Sequence, residues 1–255
     1  MKLKFLVLVF SLAFVMDAQA GEVDAQLEWA RRVELGTLVS GVVTEASVGV
    51  GDKVVAGQVL LRLDQRAFRA RLDEARAKAK NTELELSEAK RELERAQELY
   101  NRTVLSDHDL VEAKIAFGKS ELAALSAETV LAQAEVDFQY SEVRAPFDAI
   151  VLRKNAEVGQ VIVVQLQATP LLIIAERGTM LARAEVDAET ANNLTIGIDA
   201  KIRIGKVEYS GKLRTLGLEA AGMKGGATRY EALFVFQTKN EALRAGQAAR
   251  IDLSK

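Results

Sequence analysis

The chain has 255 residues, enough for one large or two or three small domains, and a formal net charge of −2. With no cysteine and a single histidine, His108, it offers no disulfide, no thiolate metal site and little basis for histidine chemistry. Basic and acidic residues number 34 and 36 with no basic block, which argues against nucleic acid as a partner.

Residues 1–20 read as a secretory signal. Lys2 and Lys4 form a positive start, Phe5 to Met16 is an apolar run of 12 residues, and Ala18-Gln19-Ala20 fits a small-x-small cleavage site. The run falls short of the roughly 20 residues that a membrane-crossing helix needs. The mature chain is expected to begin at Gly21, outside the cytoplasm, and without a cysteine it carries no lipid anchor. Within residues 21–34, a strand from Leu27 to Glu34 is expected to close a barrel formed by the far end of the chain.

Residues 35–65 and 140–176 hold two copies of one motif. Gly41 to Leu63 reads GVVTEASVGVGDKVVAGQVLLRL, and Ala149 to Ile174 reads AIVLRKNAEVGQVIVVQLQATPLLII. At an offset of 108 residues, Gly41, Val42, Val43, Val50, Gly51 and Val54 meet Ala149, Ile150, Val151, Val158, Gly159 and Ile162. Each copy is a pair of short β-runs broken by a glycine turn, and two copies can interlock as a small sandwich.

Between the copies, residues 66–139 have helical period and two heptad seams. In the first helix Leu72, Ala79, Leu86, Leu93 and Tyr100 recur every seven residues, followed three later by Ala75, Thr82, Ala89, Ala96 and Thr103. In the second, Leu110, Phe117, Ala124, Leu131 and Phe138 recur, followed by Ala113, Ser120, Ala127 and Ala134. A short connection around Val104-Leu105 makes the helices antiparallel neighbours, and Ser106 caps the second, with Asp107 and Asp109 in its first turn. Each arm is roughly 50 Å long. Just before the large seam residues of the first helix stand Arg71, Lys78, Glu85, Glu92 and then Leu99, the single apolar member. The second helix has another apolar stripe, Val111, Ile115, Gly118, Leu122, Leu125, Thr129, Ala132 and Val136, turned away from the hairpin partner. It reads either as lateral packing with another hairpin, or as surface aliphatics and packing of the basal end on the sandwich.

The remainder, 177–255, is β-rich. Lys201 to Ile204 and Tyr230 to Phe236 alternate, Asp187 to Leu194 reads as a short capped helix, residues 222–226 as a loop, and Leu243 to Gln247 as a turn into a last strand. These features predict a small barrel. The fold class expected is α+β: an elongated modular chain with a split sandwich, a helical hairpin sent out of its middle, and a barrel.

The two β-copies resemble the halves of a lipoyl or biotinyl carrier domain. Carriers place a modified lysine in the turn between the halves; here the hairpin replaces that turn, so no cofactor is expected. In order, signal, split sandwich, hairpin and barrel resemble the periplasmic adaptor (membrane fusion) proteins of tripartite efflux pumps, of the HlyD and resistance-nodulation-division (RND) type. Arg95, Leu99 and Ser106 match in spacing the tip motif of the RND adaptors. The resemblance implies a periplasmic, non-enzymatic coupling subunit. Its hairpin tip would dock on a TolC-type outer-membrane channel and its other parts on an inner-membrane RND transporter, as a ring of copies or mixed with a second adaptor. An adaptor for an ABC-type exporter is the alternative, and a carrier-like domain the third reading. The chain stops at Lys255, soon after the predicted barrel, so the membrane-proximal domain of many RND adaptors is not expected.

Overall fold

A computed structural model of the chain describes residues 21–164, 170–238 and 243–253. The predicted signal segment lies outside the described residues. In chain order come strands β1 (Glu22–Trp29), β2 (Arg32–Leu35), β3 (Gly41–Ala46), β4 (Lys53–Val54) and β5 (Val59–Leu63). Helices α1 (Arg66–Asn101) and α2 (Asp107–Tyr140) follow, then β6 (Glu142–Arg144), β7 (Ala149–Lys154), β8 (Val161–Ile162), β9 (Leu172–Glu176) and β10 (Thr179–Asp187). The chain finishes with α3 (Ala188–Asn193), β11 (Asp199–Ile204), β12 (Val207–Lys224), β13 (Ala227–Gln237) and β14 (Ala248–Asp252). These elements form two compact units that part at Ala30/Arg31 and Arg177/Gly178. The content is α+β, as the sequence predicts.

The unit from Arg31 to Arg177 holds the sandwich and the hairpin. Its two sheets run β2-β9-β7-β4 and β6-β5-β3-β8. The predicted interlock is visible as reciprocal pairing between the copies. Gly41 pairs with Ile162, and their repeat-mates Ala149 and Val54 pair with each other. Gly51 N–H donates to the Val151 carbonyl at 2.8 Å, and Gly159 N–H donates to the Val43 carbonyl at 2.8 Å. Both glycines sit in the left-handed region, with φ of 93° and 90°, which an L side chain rarely adopts. Val43, Val54, Leu60, Leu61, Leu63, Val151, Leu172 and Ile174 are buried in the single core that results. Each sheet thus takes strands from both copies, so neither copy buries its apolar face alone.

In the other unit six strands close a barrel in the order β1-β10-β13-β12-β11-β14. Leu27, Met180, Ile202, Leu213, Phe234, Phe236 and Ile251 fill it. The short helix α3 is capped as predicted: Asp187 accepts a hydrogen bond from Thr190 N–H at 2.8 Å. Two expectations need correction. The barrel strand is Glu22–Trp29, not Leu27 to Glu34, and Arg32–Leu35 belongs instead to the sandwich, paired with β9. Val23, Ala25, Leu27 and Trp29 pack on the barrel core, and Val33 and Leu35 on the sandwich core. The alternation keeps one phase across Ala30-Arg31, so periodicity does not mark the change of unit. Second, residues 222–226 are not a five-residue loop. The strands run on to Lys224 and from Ala227, joined by Gly225-Gly226 with φ of 61° and 80°. Two successive positive φ values suit a tight hairpin turn whose twist matches that of its strands.

Candidate functional site

The hairpin follows from its seams. Leu72, Ala75, Thr82, Leu110 and Ala127 are buried, and the other seam residues up to Ala96 on α1 and Phe138 on α2 are buried or half-buried. Small residues at one seam position of each pair let the helices approach closely, and Thr82 is 1% exposed as a result. Its hydroxyl stays satisfied by donating back to the Lys78 and Ala79 carbonyls at 3.1 and 3.0 Å. Between the helices Arg76 meets Glu135 at 4.0 Å, an exposed pair worth at most about 1 kcal/mol.

At the tip, α1 ends in a Schellman arrangement. Val104 N–H donates to the Leu99 carbonyl at 3.0 Å and Thr103 N–H to the Tyr100 carbonyl at 2.8 Å, with Thr103 at φ 57°. A β-branched residue in that conformation is strained by roughly 1–3 kcal/mol. The predicted seam therefore stops short of Thr103, which lies outside the helix and is exposed. Ser106 opens α2 as its cap: its Oγ accepts from Asp109 N–H at 3.2 Å and donates to Asp109 Oδ2 at 2.6 Å. Arg95 and Leu99 stand one turn apart on α1, four residues being nearly one turn of helix. Arg95 is exposed and meets Glu92 at 3.3 Å, while Leu99 is half-buried. The three predicted tip residues thus lie in the last two turns of α1 and at the cap of α2.

The second stripe of α2 lies on the side of the helix opposite its seam, given 100° per residue. Val111, Ile115, Leu122 and Leu125 are 42, 53, 68 and 61% exposed. Val136, the stripe residue nearest the sandwich, is still 38% exposed, so packing on the sandwich does not consume the stripe. On α1 the large apolar Leu84 is 63% exposed, outside the seam.

The base of the hairpin was not anticipated. Only Asp64 and Gln65 separate β5 from α1, and only Ser141 separates α2 from β6. Leu63 N–H donates to the buried Ser141 carbonyl at 2.8 Å, and Gln65 Nε2 donates to Ser141 Oγ at 2.8 Å and to Glu142 Oε1 at 3.3 Å. Arg62 Nε meets the same Glu142 oxygen at 3.0 Å, and Arg144 pairs with the other. Burial works against ionisation of Glu142, but hydrogen bonds from Arg62 and Arg144 outweigh it and hold the carboxyl below its usual value. Asp64 accepts from both the side chain and the backbone N–H of Arg66, which lowers its pKa to about 2. These partners lie up to 80 residues apart, so only the β5–β6 register, Arg62 opposite Glu142, would have brought them to notice.

Residues 31–175 match the family model of the CzcB-like, barrel-sandwich hybrid domain. The macrolide export protein MacA of Yersinia pestis is 27% identical over 246 residues, covering 89% of this chain and 66% of that protein. The efflux pump periplasmic linker BepD of Brucella suis is 28% identical over 157 residues, covering 58% of this chain and 39% of its own length. The membrane fusion protein Spr0693 of Streptococcus pneumoniae superposes with a TM-score of 0.70 at 15% identity, over 92% of this chain and 98% of that one. A sandwich that interlocks two copies around a helical hairpin, followed by a barrel, defines the membrane fusion class. The chain belongs to the membrane fusion, or periplasmic adaptor, family through its CzcB-like barrel-sandwich hybrid domain. It spans about two thirds of the length of the MacA relative it matches. Among the described residues, no helix is long and apolar enough to cross a membrane.

Proposed function

We propose that the chain is the periplasmic adaptor of an export machine, joining an inner-membrane transporter to a TolC-type outer-membrane channel. The observation that carries this is the placement of Arg95, Leu99 and Ser106 together at the end of a hairpin in a membrane fusion fold. Leu99 supplies the apolar docking contact, Arg95 a charged one, and Ser106 both caps α2 and faces the partner. The exposed stripe of α2 packs hairpins side by side, so that several copies surround the channel end. Driving energy comes from the transporter, and the adaptor itself performs no bond chemistry.

For the transporter we favour the ABC-type exporter over the RND pump. The MacA match supports this, because it runs through nearly the whole chain where the BepD match covers little more than half. The tip motif alone does not separate the two classes. Co-purification of the membrane-solubilised complex is the test: an ATP-binding transporter retained with the adaptor is the expected result. Retention of a proton-driven permease in its place would reverse the assignment while leaving the adaptor role intact.

A further inference from the structure

The hairpin is a long lever on a narrow base. α1 has 36 residues, about 54 Å at 1.5 Å each. A tilt of about 5° at the base displaces the tip by about 5 Å, close to one helical turn of 5.4 Å. Docking contacts such as that of Leu99 do not survive a displacement of that size, so the direction of the hairpin has to be set where it leaves the sandwich.

Little apolar packing is available there to set it. In α1 Phe68 and Leu72 are the buried large side chains near the base, and Phe68 alone of the two borders the β2–β3 segment. Directional polar contacts hold the junction instead. Gln65, at the start of α1, donates to Ser141, which ends α2, and to Glu142, the next residue in the chain after Ser141. Glu142 in turn receives Arg62 from β5 and Arg144 from its own strand. Arg62 reaches on to Glu45 of β3 at 2.5 Å, and Arg144 donates to the Gly57 carbonyl at 2.8 Å. One largely buried carboxylate, with 14% of its side chain exposed, thus ties both helix ends to β3, β5, β6 and the turn before β5.

We propose that Glu142 is a positioning residue that fixes the angle of the hairpin on the sandwich, and that Gln65 and Arg62 act through it. Its importance for export rests on the docking role of the tip proposed above. Neutralising it leaves the heptad seam and the sandwich core untouched, so the hairpin stays helical but swings.

The chain has no native cysteine, so spin labels can be placed freely. Labels at Glu98→Cys near the tip and Val158→Cys on the sandwich report the angle as a distance distribution by pulsed electron spin resonance. In Glu142→Gln the distribution is expected to be roughly doubled in width, because small rotations at the base are amplified along about 54 Å. Helical circular dichroism should hold, and the melting midpoint should stay within a few degrees. Gln65→Ala, which removes two contacts without neutralising a charge, should broaden it less. A disulfide between Gln65→Cys and Ser141→Cys in the Glu142→Gln background should narrow it again. An unchanged width, or broadening that appears only with loss of helix signal, would overturn the proposal. Because the measurement uses the isolated protein, it is independent of docking. Broadening with normal export would support the joint and count against the docking role of the tip.

Discussion

Replacing Leu99 with aspartate separates folding from docking. In the free protein the change lies in the last turn of α1 on a half-buried side chain outside the seam. Lower helix propensity costs about 0.5 kcal/mol, and an anion near the helix C-terminus costs about 0.3–1 kcal/mol. The sum, about 1 kcal/mol, corresponds to a melting shift of about 2–4 °C for a chain of this size. In the docked state the loss is larger. Burying a leucine contributes roughly 1.5–3 kcal/mol, and an unpaired carboxylate in its place costs at least about 2 kcal/mol more. Together this is about 4 kcal/mol per hairpin, or about three decades of affinity. Export of a toxic substrate in cells, pull-down of the outer-membrane channel and thermal unfolding of the purified variant should be measured together. Lost export and lost pull-down with a nearly unchanged melt is the expected pattern. Wild-type export, or a melting drop above about 10 °C, would refute the reasoning, because that chain size gives 2–4 °C per kcal/mol.

Leu122→Glu combined with Leu125→Glu should abolish cross-links in cells between cysteines at Ile115 and Leu84, while the isolated protein keeps its melting point; ladders that persist would reduce the stripe to plain surface. Thr103→Gly should stabilise the hairpin by about 1 kcal/mol, since the relieved strain of a β-branched residue at positive φ outweighs the loss of the exposed bond from its hydroxyl to the Arg102 carbonyl. Chemical denaturation checks that value. Gly51→Ala and Gly159→Ala should each cost about 1–2 kcal/mol, with near-equal values, because both glycines have positive φ and open space where a Cβ would stand. The Asp64 carboxyl has a folded pKa below its unfolded value of 3.8, so its contribution is fully present above about pH 4 and is lost as pH falls through about 2. Carboxyl carbon shifts should show that late titration, and Asp64→Asn should remove acid-induced fraying at the start of α1.

Much of this was legible in the sequence where one period governs a long stretch. The heptads of α1 and α2 set the seam almost residue by residue, and the offset between the copies marked the two segments that interlock in the sandwich, though not which of their positions pair. Legibility failed where two different cores share one alternation. Val33 and Leu35 continue the phase of Leu27 and Trp29, yet serve another unit. The complete alternation Val23, Ala25, Leu27, Trp29 would have placed the start of β1 correctly. It failed again in β12, whose register shifts at Leu213/Thr215, Leu216/Ala220 and Ala220/Gly222 scramble any period-2 signal. Ser106 was readable as a cap because capping is local. Glu142 was not readable as a node, because its meaning depends on Gln65 and Arg62 arriving from across the hairpin.

The duplication in the sandwich also equips it with two matching sockets. The hairpin departs between β5 and β6, which are hydrogen-bonded neighbours. Under the internal repeat β5 maps onto β9, and β9 is likewise the neighbour of β2. Those are the two strands through which the chain passes to and from its barrel strands. Each socket holds its two strand ends together, shown by Leu63 N–H on the Ser141 carbonyl at 2.8 Å and Glu176 N–H on the Arg31 carbonyl at 2.9 Å. At the first socket a long insertion is accordingly carried without cutting a core strand. The same geometry lets a hairpin of another length be grafted at one socket while the other keeps its cargo.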